Sequence, residues 1–234
     1  MPSEDKLSFV ENSDNPADFR KQEGDYVILF KGNSITRHGV SEKTIAELGW
    51  DHLAGMAASS ESKDYAHLFA DKIQAEMQDK RIRLLFGRGG RPVLSLAGVE
   101  LEAHADPDLI IVQNGEHSAL YPEVENFARD HEKLISSLKK SCPKARIISI
   151  GIWNPTARGN ELSACASPEY DQCAKRIEEA QKEVAAKFQI DFVSVAKFGQ
   201  DPANFGTGKV AGVCWHPNDN GMKCYADALS EAFF

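Results

Sequence analysis

Two residues far apart in the chain have the side-chain types that acyl transfer needs. Ser34 lies in "ILFKGNSITRHG", residues 28–39, where an apolar run gives way to Lys31, Gly32 and Asn33. His216 lies in "GVCWHPNDNGM", with Pro217 immediately behind it. A serine hydroxyl is a weak nucleophile until a base stands within hydrogen-bond reach, and imidazole is the commonest such base. The tetrahedral intermediate then needs fixed donors aimed at its oxyanion. Gly32 permits a tight turn, and the amides that follow it can face an anion. Each residue alone has an ordinary alternative, since serine is common in turns and a lone histidine is usually structural. The pairing of a glycine–serine turn after the first strand with a His-Pro before the last helix is more specific.

The elements that must bring them together are legible in the hydrophobic pattern. Short apolar runs at 26–30, 82–86, 109–113, 146–151 and 190–195 read as strands covered on both faces. Amphipathic stretches alternate with them. Phe127, His131, Leu134, Ile135 and Leu138 form one helical stripe, and Tyr170, Cys173, Ile177, Val184 and Phe188 form another. Met222, Tyr225, Leu229 and Phe233 predict a terminal helix. Pro143 follows one helix and Pro168 begins the next, where each is tolerated. Strand–helix alternation predicts an α/β fold, a three-layer α/β/α sandwich around a central parallel sheet. Ligands of such sheets bind beyond the carboxyl ends of the strands, where Ser34 falls.

Composition narrows the function classes. The 234 residues, 42% hydrophobic, suffice for a single domain, with 1–20 read as an N-terminal extension. The formal charge of −8 is spread through the chain, which argues against nucleic acid or an anionic membrane surface as partner. No run approaches the ~20 apolar residues of a membrane span. The N-terminal stretch has no signal-peptide core, which leaves the compartment open between a cytoplasmic protein and an exported one. Five cysteines at low density form no disulfide framework; Cys165 and Cys173 share one segment and have the option of pairing, against a reading as free thiols. Asp51, His52, Asp64 and His67 lack regular ligand spacing and read as a loop entering a helix over 65–80. "GRGG", residues 87–90, lacks both the Walker ending and the third glycine of a dinucleotide fingerprint.

In order and spacing the chain resembles the SGNH, or GDSL-type, superfamily of esterases and lipases, a flavodoxin-like α/β/α fold. "GNSIT" is similar to its Gly-Asp-Ser motif, with Asn33 in place of aspartate. Gly87 in "LLFGRGGRP" matches the glycine after the second strand, with Gly89 as the less favoured register. "NGEHS" matches Gly-x-Asn-Asp, with His117 in place of asparagine. "VCWHP" matches Asp-x-x-His-Pro, with Val213 in place of aspartate. The resemblance implies a Ser34 nucleophile, a His216 base, and oxyanion donors at Ser34, Gly87 and His117. Asn33 and Trp215 join the binding set, and no metal or organic cofactor is implied.

With Val213 unable to orient the imidazole through its side chain, a main-chain carbonyl, Asp219, Asp201 or Glu116 must do so. Asp219 is also expected to cap the terminal helix. Asn114 has an amide but a strand-end position that aims it elsewhere. Trp50 and Met56 are expected beneath the serine turn. Trp153 and Arg158, in the irregular stretch 152–168, are either pocket-lining or surface, and Trp215 either walls the pocket or anchors the core. The implied activity is cleavage of small carboxylic esters, with acetylated carbohydrates a candidate class. The alternative is an SGNH-fold binding module that has lost its chemistry through the changes at Asn33, His117 and Val213.

Overall fold

The computed structural model describes residues 20–120, 124–155 and 168–234, together with the backbone of 8–11. Arg158 and Cys165, and with them the proposed Cys165–Cys173 pairing and most of the stretch 152–168, lie outside the described residues.

Among the described residues six parallel strands form one sheet: β1 (Ser8–Glu11), β2 (Asp25–Gly32), β3 (Arg81–Phe86), β4 (Leu109–Gln113), β5 (Arg146–Ile150) and β6 (Asp191–Val193), in the spatial order β1-β3-β2-β4-β5-β6. Five of these answer to the runs read in the sequence. β1 falls in the stretch read as an extension and pairs with β3 at the sheet edge, Ser8 opposite Arg83.

The strand residues alternate between two cores. Ile28, Phe30, Leu84, Ile111 and Ile148 pack on one face with Tyr65, Phe69, Tyr225 and Leu229. Val27, Leu29, Ile110, Val112 and Ile147 pack on the other with Leu134, Ile135, Leu138 and Val184. Helices on both faces explain why the central strands carry continuous apolar runs, such as Val27–Phe30 and Leu109–Val112, rather than alternating patterns.

The helices are α1 (Glu42–Leu48), α2 (Tyr65–Glu76), α3 (Pro92–Leu96), α4 (Val99–Glu102), α5 (Glu116–Leu120), α6 (Val124–Ser141), α7 (Pro168–Phe188), α8 (Ala211–Cys214) and α9 (Asp219–Phe233). The helix expected over 65–80 ends at Glu76, because the Gln74 carboxamide donates to the carbonyls of Met77 and Lys80 and closes the turn there. The expected cap of the last helix moves by one residue. Asn218 caps α9, its Oδ1 accepting from the amides of Asn220 and Gly221. The Asp219 carboxylate instead accepts from the Ser59 amide and hydroxyl, each at 2.7 Å. No helix among the described residues is long and apolar enough to cross a membrane.

Chain order sets where a site forms. From β2 the chain passes to β3 on one side, then to β4 on the other. The crevice at the carboxyl end of β2 is therefore a topological switch point, and the loops after β2, β3 and β4 open into it.

Candidate active site

Ser34 stands in the turn that follows β2. Gly32 is needed there because the Thr36 side chain folds back over it: a Cβ on Gly32 would lie 1.8 Å from Thr36 Oγ1. That hydroxyl is bound in turn to Tyr65 Oη at 2.6 Å. The turn is closed by the amides of Thr36 and Arg37 donating to the Asn33 carbonyl, and Met56 N–H donates to the Ser34 carbonyl at 2.8 Å. Met56 thus supports the turn from below, as its position in the sequence suggested. Trp50 lies against His52, ring centroids 4.1 Å apart.

His216 reaches the serine from the short connection between α8 and α9. Ser34 Oγ and His216 Nε2 are 2.8 Å apart, across 182 residues of chain. The other ring nitrogen, Nδ1, lies 2.7 Å from the Gly212 carbonyl. A carbonyl only accepts, so the proton sits on Nδ1 and the Nε2 lone pair faces the hydroxyl. Burial pushes the imidazole down to about 4, the His38 and His117 rings adding to this and the bond to Gly212 opposing it. The ring is therefore neutral at pH 7, the form a general base requires.

The orienting partner is thus a main-chain carbonyl, that of Gly212 rather than of Val213. The Val213 carbonyl accepts the His216 N–H instead. The three carboxylates considered for this task are engaged elsewhere. Asp219 holds Ser59, and Asp201 accepts from the Ala203 amide. Glu116 is buried with Asn33, Gln113 and Trp153.

Two glycines follow β3 as candidate donors, and the backbone ladder engages the amide of one of them. The Gly87 N–H donates to the Phe30 carbonyl at 2.9 Å, extending the β2–β3 pairing, so Gly87 is not available as a donor. Two residues on, the N–H of Gly89 has no hydrogen-bond partner among the described residues, and Gly89 lines the cleft. Its flanking amides are both fixed: Arg88 N–H donates to Glu102 Oε1 and Gly90 N–H to the Gly32 carbonyl. A Cβ on Gly89 would fall 1.6 Å from the Gly32 oxygen, so the loop reaches this position only with glycine.

Glu102 is itself buried and paired with Lys31, whose side chain is wholly enclosed. This ion pair beneath the loop was missed in the sequence. Nothing local marks it, since the two residues are 71 apart in the chain.

His117, in the first turn of α5, lines the same cleft, and its imidazole has no hydrogen-bond partner among the described residues. Burial and the nearby Arg91 charge lower its pKa, favouring a neutral ring with one N–H to donate. Asn114 is fully buried, away from the cleft.

The remaining candidates divide between cleft and core. Asn33 lines the cleft but turns both polar ends inward, its Oδ1 accepting from Ile35 N and its Nδ2 donating to Glu116. Trp215 is a core anchor, buried edge-on to Tyr170 and His216, and its carbonyl receives the Trp153 indole N–H at 2.8 Å. Trp153 is fully enclosed, neither rim nor surface.

The cleft measures about 580 Å³ and collects Ser34, Gly89, His117 and His216. A parallel α/β/α sandwich with a serine–histidine pair at the carboxyl edge of its sheet is the architecture of a serine-hydrolase class. The chain belongs to the GDSL-like lipase/acylhydrolase family, whose model matches residues 30–224.

Solved structures share the fold. An extracellular lipase from Streptomyces rimosus superposes with a TM-score of 0.61 at 14% identity, covering 88% of this chain and 99% of that one. A lipase from a goat rumen metagenome gives 0.66 at 10% identity, over 88% and 97%. A variant of an acetyl-xylooligosaccharide esterase from Geobacillus gives 0.61 at 15%, over 90% and 96%. No curated protein matches the sequence.

Proposed function

We propose that this protein is a serine ester hydrolase that works through a Ser34–His216 dyad without a carboxylate third member. The observation that carries the proposal is the single line of contacts Ser34 Oγ–His216 Nε2–ring–Nδ1–Gly212 O, at 2.8 and 2.7 Å. Ser34 attacks the ester carbonyl while His216 Nε2 takes its proton. The imidazolium then returns that proton to the departing alkoxide. Water repeats the sequence on the acyl-enzyme and frees the acid.

The Gly212 carbonyl holds the tautomer but brings less charge to the imidazolium than a carboxylate would. The oxyanion is received by the N–H groups of Ser34 and Gly89 and by the His117 imidazole. Small carboxylic esters suit the site, and acetylated carbohydrates are the first subclass to try, given the fold shared with an acetyl-xylooligosaccharide esterase.

Incubation with a fluorophosphonate ester followed by peptide mapping tests the reading. A label on Ser34, lost in Ser34→Ala together with p-nitrophenyl acetate turnover, supports it. An unlabelled Ser34 with no turnover would favour the binding module that the changes at Asn33, His117 and Val213 had suggested.

A further inference from the structure

Two amides bracket Gly89, and both are tied to the end of β2. Gly90 N–H donates to the Gly32 carbonyl at 2.8 Å. Arg88 N–H donates to Glu102 Oε1 at 2.6 Å, and the Glu102 carboxylate is joined to the ammonium of Lys31, the residue before Gly32. Ser34 follows in the turn just beyond Gly32, so the nucleophile and the loop are referred to the same stretch of strand.

The space around the Glu102 carboxylate is kept open for it. A Cβ on Gly87 or on Gly98 would overlap its Oε1, so both positions need glycine to admit it. By the alternation of β2, Lys31 enters the face of Val27 and Leu29, in the core that also takes Val99 from α4. A lysine–carboxylate pair enclosed there adds little stability over an apolar pair of similar volume, because desolvation offsets the attraction. What an apolar pair cannot do is accept the N–H of Arg88. Without that acceptor the loop would hold Gly89 from one side only.

We propose that Glu102 is a positioning residue for ester cleavage: held by Lys31, it takes the Arg88 N–H and so aims the Gly89 N–H at the oxyanion formed when Ser34 attacks. The inference rests on the hydrolase reading and on Gly89 as a donor within it. Glu102 acts from beneath the loop and touches no reacting atom.

Two double variants remove the same charges and differ only in the acceptor. Lys31→Met with Glu102→Leu leaves the Arg88 N–H unreceived, whereas Lys31→Met with Glu102→Gln keeps a side-chain oxygen for it. On p-nitrophenyl acetate the first should lose about 10- to 100-fold in kcat with KM little changed, and the second should recover most of that loss. In a Gly89→Ala background the first pair of changes should lower kcat no further, as expected of residues that act through one donor. Equal kcat in the two double variants, or a loss that multiplies with that of Gly89→Ala, would overturn the positioning role and leave the hydrolase intact. Amide hydrogen exchange on the wild-type protein gives a readout that does not depend on how the variants fold. The Arg88 N–H should be protected and the Gly89 N–H should not, and rapid exchange at Arg88 would overturn the role. No turnover by the wild type, with Ser34 unlabelled by the fluorophosphonate, would overturn the hydrolase reading and this inference together.

Discussion

The Asn33 carboxamide and the Glu116 carboxylate meet in a buried hydrogen bond, Nδ2 to Oε2 at 2.6 Å. Glu116 also accepts from Gln113 Nε2 and the Trp153 amide, so three donors converge on one enclosed carboxylate. Burial raises its pKa while these donors pull it back. The contact explains why asparagine stands where the family motif has aspartate. A donor is required opposite Glu116, and a second carboxylate would face the first at hydrogen-bond distance with no water between them.

Restoring the motif should therefore harm the protein. Asn33→Asp is expected to lose about 1–3 kcal/mol of unfolding free energy at pH 7 and to lower ester cleavage. Adding Glu116→Gln to it returns a donor–acceptor match and should recover most of the loss. Urea unfolding of the two single variants and the double variant measures the coupling. Wild-type stability in Asn33→Asp would refute the account.

Gly89 is argued to be a donor because the main chain leaves its N–H unpaired between two pinned amides. Gly89→Ala must displace the loop from Gly32, and kcat should fall by about 10²–10³ with little change in KM. Steady-state kinetics on p-nitrophenyl acetate decides it, and an unaffected kcat would remove Gly89 from the oxyanion site.

His117 makes the same claim from a side chain. His117→Ala should lower kcat by about 10²-fold while KM and thermal unfolding barely move. A rise in KM at constant kcat would reassign His117 to ground-state binding.

The pH dependence follows from two enclosed imidazoles. Burial lowers both His216 and His131 to about 4. The acid limb of kcat/KM should accordingly lie near pH 4 rather than at the ordinary histidine value of roughly 6.5. For stability the direction is set by the unfolded chain, which takes up protons first as pH falls below about 6.5. Unfolding free energy is therefore full above that pH and declines toward pH 4, by up to about 1.4 kcal/mol per unit for each histidine. Glu116, raised by burial, acts with the opposite sign, so the comparison is between wild type and His131→Asn. Urea unfolding from pH 4.5 to 7.5 should give a shallower slope in the variant, and parallel slopes would contradict it.

How far the sequence reached depends on which forces are local. Strands 109–113 and 82–86 were legible because burial on both faces writes a continuous apolar run. The stripe from Phe127 to Leu138 was legible because one helical face meets the sheet. Ser34 and His216 stood out as chemical types at the ends of such elements. The choice between Gly87 and Gly89 was not legible, since both are glycines after the same strand and only the Phe30 carbonyl, in a neighbouring strand, settles which amide is engaged. Lys31–Glu102 and Asn33–Glu116 were hidden for a related reason. Polar pairs closed across 71 and 83 residues leave no periodicity to read. The cap on α9 was misplaced by one residue because Asn218 and Asp219 are equally good capping types, and Ser59 claims the second.

Ser34 and His216 reach the cleft from elements 182 residues apart, and His216 is held in place by the short connection between α8 and α9. A chain still emerging from the ribosome can thus form β2 and its serine turn long before the base exists. Until the segment that carries His216 docks, Ser34 Oγ has no imidazole beside it, so that one contact marks the completion of the fold.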